Sequence, residues 1–397
     1  MHPANLMLVG AAFALLFRPS GSLLLVARIA PILALALSVI GGIGFVTTVM
    51  LAGASEILAY VTTFILTLVL GALVAGGHAT GRLELGYLAR LWIAIAVAEA
   101  ALIGAQAVAS RALVWESARL RNQSWFVTSH VDRPFGTFDS PIEAAAILAM
   151  ALPLIPVIER SWVRYFSLAA ILSGIFLTQS RSVAGISLVA VAYLAFIGLR
   201  SVAARVSVLV VSIISVLYLA TSTTAGLVSR FEAGADDSLA VRGEAWQYFV
   251  ENWQEYLVVG AGYRLGSGTK GVTLESSLEN AYISLAFDIG VASVALLLVV
   301  QAYILWRPLI VPSLHRHFAV SSVAGIASGM AFSAFANPSA FGPFLWAAIG
   351  ASFMGCLLPG AFAVESRCGA DASSRVVRGR RRVTSSGYRV RRDGRNA

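Results

Sequence analysis

Six residues in the polar connections carry the chemistry this sequence offers: Arg133, Arg181, Arg230, Arg242, Arg264 and Glu279. Arginine is the cation here almost to the exclusion of lysine; Lys270 is the single lysine of 397 residues. A guanidinium is a planar fork that engages phosphate with two bonds and stays charged at low dielectric. Arginines gathered at a membrane surface can hold the diphosphate of a lipid-linked sugar and stabilise it as it leaves, the work a metal ion does elsewhere. One general base must take the proton from the attacking sugar hydroxyl. Glu279 is the acid placed for that role. It has a second reading, an interfacial glutamate beside a helix N-terminus, where the dipole favours its charge.

Other site classes find little support. There is no P-loop pattern, and Gly266-Ser-Gly268 reads as a flexible turn rather than a phosphate cradle that opens a helix. The five histidines are scattered, and the two cysteines, Cys356 and Cys368, make neither a disulfide framework nor zinc spacing. Asp236-Asp237 reads either as a cation site or as a solvated pair that caps a helix. No metal and no cofactor are expected.

The elements that must position these residues are membrane helices. The chain is 58% hydrophobic and only 12% charged, about half the charge of a soluble domain. Apolar runs fall at 1–17, 22–46, 55–76, 91–109, 142–158, 163–180, 182–199, 206–220, 281–305, 318–336 and 339–358. Only helices satisfy the backbone inside such runs, so the expected fold is an all-α polytopic membrane protein of about 11 transmembrane helices, within a range of roughly 10–12. The first run lacks a basic segment before it and a small-residue cleavage site after it, so it reads as a retained span.

Arginine placement sets the expected orientation. Ten arginines against two aspartates between Ser366 and Ala397 hold eight of the nine net charges. This tail reads as a disordered cytoplasmic end near anionic lipid, not as a nucleic-acid partner. The domains expected are thus 1–365, the membrane domain, and 366–397, the tail. With the tail inside, the short connections Arg18–Arg28, Arg82–Arg90, Arg160–Arg164, Arg200–Arg205 and Arg307–Arg316 are also cytoplasmic. The two long connections, 110–141 and 221–280, then lie outside.

Within the outer connections, Pro141 is expected to start a helix that Ser140 or Asp139 caps. The junction Thr178-Gln-Ser-Arg181-Ser182 joins two apolar runs with almost no linker. Arg181 either snorkels outward or points into a cavity between helices. Ser238–Val258 is expected to be helical, with Trp246, Phe249, Trp253 and Leu257 at helical spacing. Such a helix either lies in the membrane interface or packs on the bundle.

Four pieces of sequence carry a resemblance. They are Arg133-Pro-Phe-Gly-Thr-Phe138, Thr178-Gln-Ser-Arg181, Arg242-x-x-x-Trp246 followed by Val259-Gly-Ala-Gly262, and Glu279-Asn-Ala-Tyr282 followed by Gly290. Together and in this order they resemble the O-antigen ligase/polymerase superfamily of bacterial envelope proteins (Wzy/WaaL-like). The resemblance covers residues 130–300. It implies a GT-C-like bundle with a large periplasmic loop that contains an amphipathic helix. It implies a metal-independent glycosyltransferase of the bacterial inner membrane, acting on undecaprenyl-diphosphate-linked glycan at the outer face.

Under that resemblance Arg181 and Arg242 bind phosphate and, with Glu279, form the catalytic set. Arg133, Arg230, Arg264, Asn280, Tyr282 and Trp246 contact substrate. Ligases of the family carry histidine where Glu279 stands, and an acid there resembles the polysaccharide-polymerase branch. The expected activity is therefore polymerisation of oligosaccharide repeat units, with membrane lipid and a chain-length regulator protein as further partners. Ligation of the glycan to a lipid or protein acceptor is the alternative. From another class, a polysaccharide or lipid transporter would explain the spans and the intramembrane acids Glu99 and Glu143. It calls for internal repeats and broken helices in matching halves, which the sequence does not display.

Overall fold

The computed structural model describes residues 22–114, 133–138, 140–199, 201–214, 235–263, 280–330 and 340–357. Every regular element among them is helical. The chain divides into one compact unit, Met1–Cys356, and a second, Leu357–Ala397, that lies almost wholly outside the described residues. The expected tail, 366–397, and the first expected span, 1–17, are also outside them.

In chain order the helices are α1 (Ser22–Ile29), α2 (Pro31–Leu51), α3 (Ala54–Ala79) and α4 (Leu85–Ala109). Then come α5 (Pro141–Ala151, extended by a tighter turn Leu152–Val157), α6 (Ser161–Leu177), α7 (Arg181–Gly198) and α8 (Val202–Ile214). A polar helix, α9 (Ala235–Asn252), is followed by α10 (Ala281–Ile289), α11 (Val291–Ile310), α12 (Leu314–Gly329) and α13 (Phe341–Leu357). Five of these, α2, α3, α4, α7 and α11, are long and apolar enough to cross a membrane. At about 1.5 Å per residue, roughly 20 residues match the hydrocarbon core.

Two expected spans resolve into pairs. Run 22–46 breaks at Ala30, because Pro31 supplies no backbone N–H and takes the first-turn position of α2, which then continues to Leu51. Run 281–305 breaks at Gly290, whose φ of +98° disfavours any side chain. The expected helix 238–258 also ends early, at Asn252, and closes with a 3₁₀ turn at Trp253–Tyr256.

At the centre sits α5. Its alanine-rich sequence is apolar on all sides, and ten of its eleven residues are buried. It packs against α4, α6, α7 and α12. Close approach depends on small residues: a side chain at Gly174 of α6 would overlap Ala100 of α4, and one at Gly325 of α12 would overlap Met150 of α5. Ser321 of α12 donates to the Met150 carbonyl at 2.6 Å.

Candidate functional site

The segment Arg133–Phe138 has no regular structure of its own, and two residues of α4 hold it. Gln106 is 3% exposed. Its Oε1 accepts from the N–H groups of Phe135 (3.1 Å) and Gly136 (2.9 Å), and its Nε2 donates to the Gly136 carbonyl at 2.9 Å. One amide thus substitutes for a missing backbone partner. Two turns earlier, Glu99 accepts from Thr137 N (3.0 Å) and Thr137 Oγ1 (2.5 Å). Gly136 is left-handed, and a Cβ there would overlap the Glu99 carboxylate. Ser140 then caps α5, its Oγ accepting from Glu143 N at 3.1 Å, as expected with Pro141 in the first turn.

Arg133 crosses to the second piece. Its Nε donates to the Thr178 carbonyl at 3.0 Å, at the C-terminus of α6, where carbonyls lack helical partners. The turn that follows is tight because Gln179 takes φ +57°. Ser180 is the N-cap of α7 and Arg181 its first residue, half-buried. Serine at that position normally accepts from the first turn. Here Ser180 makes no capping bond, is 4% exposed, and its Oγ has no partner among the described residues.

The third and fourth pieces meet in the same way. Ala261 N donates to the Phe287 carbonyl (2.8 Å) and Gly262 N to the Asp288 carbonyl (3.1 Å). In return Ala292 N donates to the Leu257 carbonyl at 2.9 Å. Two glycines permit this approach: a Cβ on Gly260 would overlap the Asp288 carbonyl, and one on Gly290 would reach 2.5 Å from the Val258 carbonyl. Beyond them Tyr263 is fully buried, its N–H on Thr48 Oγ1 (3.2 Å) and its ring edge-on to Tyr60.

Asn280 caps α10, its Oδ1 accepting from Tyr282 N (3.0 Å) and Ile283 N (3.2 Å). All nine residues of α10 are buried. Tyr282 donates its hydroxyl to Gln301 Oε1 at 3.2 Å. In a straight helix these two residues would stand roughly 28 Å apart, at about 1.5 Å of rise per residue. So α10 folds back against α11 at Gly290, and its N-terminus lies inside the bundle. Asn280 and Tyr282, assigned to substrate contact by the resemblance, spend these groups on holding α10.

Both ends converge on Phe341. Its N–H donates to Glu143 Oε1 at 3.1 Å, and a Cβ on Gly329 would lie 3.5 Å from the Phe341 ring and 3.8 Å from that of Tyr282. The first turn of α5 and the first turn of α10 are thus near neighbours through α12 and α13.

The aromatic helix α9 divides its residues between two settings. Tyr248, Phe249 and Tyr256 surround Phe287, with ring centroids 4.8–5.7 Å away. Burial raises the Tyr248 phenol above its ordinary value, and Tyr256 beside it adds to the shift. Trp246 remains 57% exposed and touches Phe249. Arg242 lies on α9, and its side chain is outside the described residues, as are Arg230, Arg264 and Glu279. Residues the motifs did not single out complete the constellation: Gln106, Glu99, Glu143 and Gln301. The lone amides in apolar runs are the signal that could have found Gln106 and Gln301. Neither the family models scanned nor the curated proteins searched contain a match to this chain.

Proposed function

We propose that this protein polymerises undecaprenyl-diphosphate-linked oligosaccharide repeat units at the outer face of the bacterial inner membrane, with its C-terminus cytoplasmic. The observation that carries the reading is the meeting of Arg133 with the Thr178–Arg181 turn. An uncapped helix N-terminus, a buried hydroxyl without a partner among the described residues and the Arg181 position at the start of α7 coincide there. Orphan N–H groups and the positive end of a helix dipole suit a phosphate group. In this reading Arg181 and Arg242 hold the diphosphate. A hydroxyl of the acceptor glycan attacks the anomeric carbon of the donor, and the C–O bond to the diphosphate breaks. Glu279 takes the hydroxyl proton, and undecaprenyl diphosphate leaves with the bonding pair.

Ser180→Ala tests the reading in purified protein reconstituted with lipid-linked repeat units. As a fold element, a buried hydroxyl that makes no bond costs stability, so alanine there should leave the melting temperature equal or higher. As a phosphate ligand it should lower polymer yield tenfold or more. Wild-type yield and chain length from both Ser180→Ala and Arg181→Ala would overturn the assignment.

A further inference from the structure

Between Trp246 and Val259 five apolar side chains stand exposed. Trp246 (57%), Val250 (52%), Leu257 (44%), Val258 (60%) and Val259 (53%) are all exposed. Three of them are consecutive, and contiguous exposed apolar surface marks an interaction site. The height of Leu257–Val259 is fixed. The Leu257 carbonyl accepts from Ala292 N, in the first turn of α11, and α11 is 20 residues long, about the thickness of the hydrocarbon core. Ala292 also begins the exposed apolar stripe of α11, which continues through Leu296, Val299, Tyr303 and Trp306. The strip is therefore continuous with the surface that faces lipid, at the level where that surface ends.

The opposite edge is polar. Glu244, Gln247, Glu251, Gln254 and Glu255 are exposed, and Gln247 donates to Glu251 at 2.9 Å. No lysine or arginine occurs from Gly243 to Tyr263. A partner recognised through this strip is recognised by apolar area, not by charge.

We propose that the strip Trp246/Val250/Leu257–Val259 inserts into the headgroup–acyl boundary of the leaflet at which α11 begins. It anchors the polar connection to the bilayer. Tryptophan belongs at that depth, where its ring is half in hydrocarbon and half among headgroups. The inference is independent of any reaction assigned to the protein.

The experiment uses full-length protein without its native cysteines (Cys356→Ser, Cys368→Ser), spin-labelled at Val258→Cys or Trp246→Cys and reconstituted in phosphatidylcholine vesicles. Collision rates with oxygen and with a water-soluble nickel complex report depth. Both labels should favour oxygen several-fold over a label at Glu251→Cys, and stand shallower than one at Val299→Cys. The ratio should hold when part of the phosphatidylcholine is exchanged for anionic phosphatidylglycerol. Nickel access at both sites equal to that at Glu251→Cys would overturn the proposal, as would insertion only in the anionic vesicles. Because two positions are read, a failure of one variant to fold leaves the other decisive.

Discussion

Tyr282 reaches Gln301 across the fold at Gly290, and this single hydroxyl-to-amide bond joins the N-terminus of α10 to the middle of α11. Both residues are buried, and Gln301 Nε2 has no partner among the described residues. The bond is thus the polar fastening of a helical hairpin set in an apolar bundle. Tyr282→Phe should destabilise the protein by about 1–3 kcal/mol, because it leaves the Gln301 carbonyl oxygen buried and unsatisfied. Adding Gln301→Leu should recover much of that loss, since both polar partners are then gone. Thermal unfolding in detergent, compared across the cycle, checks this. A double variant as unstable as the sum of the singles would show that the bond does not couple the two helices.

Glycine at 260 and 290 is predicted to be a condition of folding rather than of chemistry. Each backbone passes the other's carbonyls where a Cβ would overlap them, and Gly290 also takes a left-handed φ. Gly260→Ala and Gly290→Ala should each lose most of the monodisperse protein on size-exclusion chromatography. Gly243→Ala is the contrast. It lies on α9, and a Cβ added there would meet no atom within 4 Å. Alanine at that position should be neutral or stabilising by up to about 1 kcal/mol.

Hydrogen exchange should locate the work of Gln106. Its amide bonds Phe135 N, Gly136 N and Gly136 O. Gln106→Leu keeps the volume and removes all three bonds. Amide protection should fall at 135–136 by an order of magnitude or more, while the interior of α5 stays protected. Unchanged protection would mean that the neighbouring Glu99–Thr137 bonds suffice to hold the segment.

How much of this was legible in the sequence follows from the range of the forces involved. Apolar runs declare helices locally, because a backbone in lipid has no other partner, and most boundaries fall within a few residues of the runs. Pro31 and Gly290 mark breaks that the hydropathy of 22–46 and 281–305 smooths over. Ser140 and Pro141 can be read as a helix start because a cap is a local device. The pairing of Arg133 with the Thr178 carbonyl spans 45 residues, and that of Tyr282 with Gln301 spans 19. Bonds of that kind depend on which helix lies beside which, and apolar helices carry little sequence information about their neighbours. On α9 the faces separate by packing alone: Phe249 contacts Phe287 while Trp246, one turn away, stays exposed.

Glu143 offers the last prediction, and it separates an architectural acid from one that carries protons. Its carboxylate is 2% exposed, and Oε1 accepts from Phe341 N at the start of α13. A helix N-terminus presents four N–H groups without helical partners and a positive dipole end, so a buried acid there is stabilised without moving a proton. Glutamine retains the accepting oxygen and nearly the same shape. Glu143→Gln should therefore keep the melting temperature within a few degrees, since the bond to Phe341 N survives. Glu143→Ala should cost about 1–3 kcal/mol by removing an acceptor from a buried N–H. If the protein were a proton-coupled transporter using this acid, the order of effects would differ: glutamine could not release a proton and would abolish transport as completely as alanine. Measuring unfolding and polymer yield on both variants decides between the two roles. Normal yield and stability in Glu143→Gln, with losses in both for Glu143→Ala, make Glu143 a support for α13. A stable but fully inactive Glu143→Gln would instead make its titration part of the mechanism.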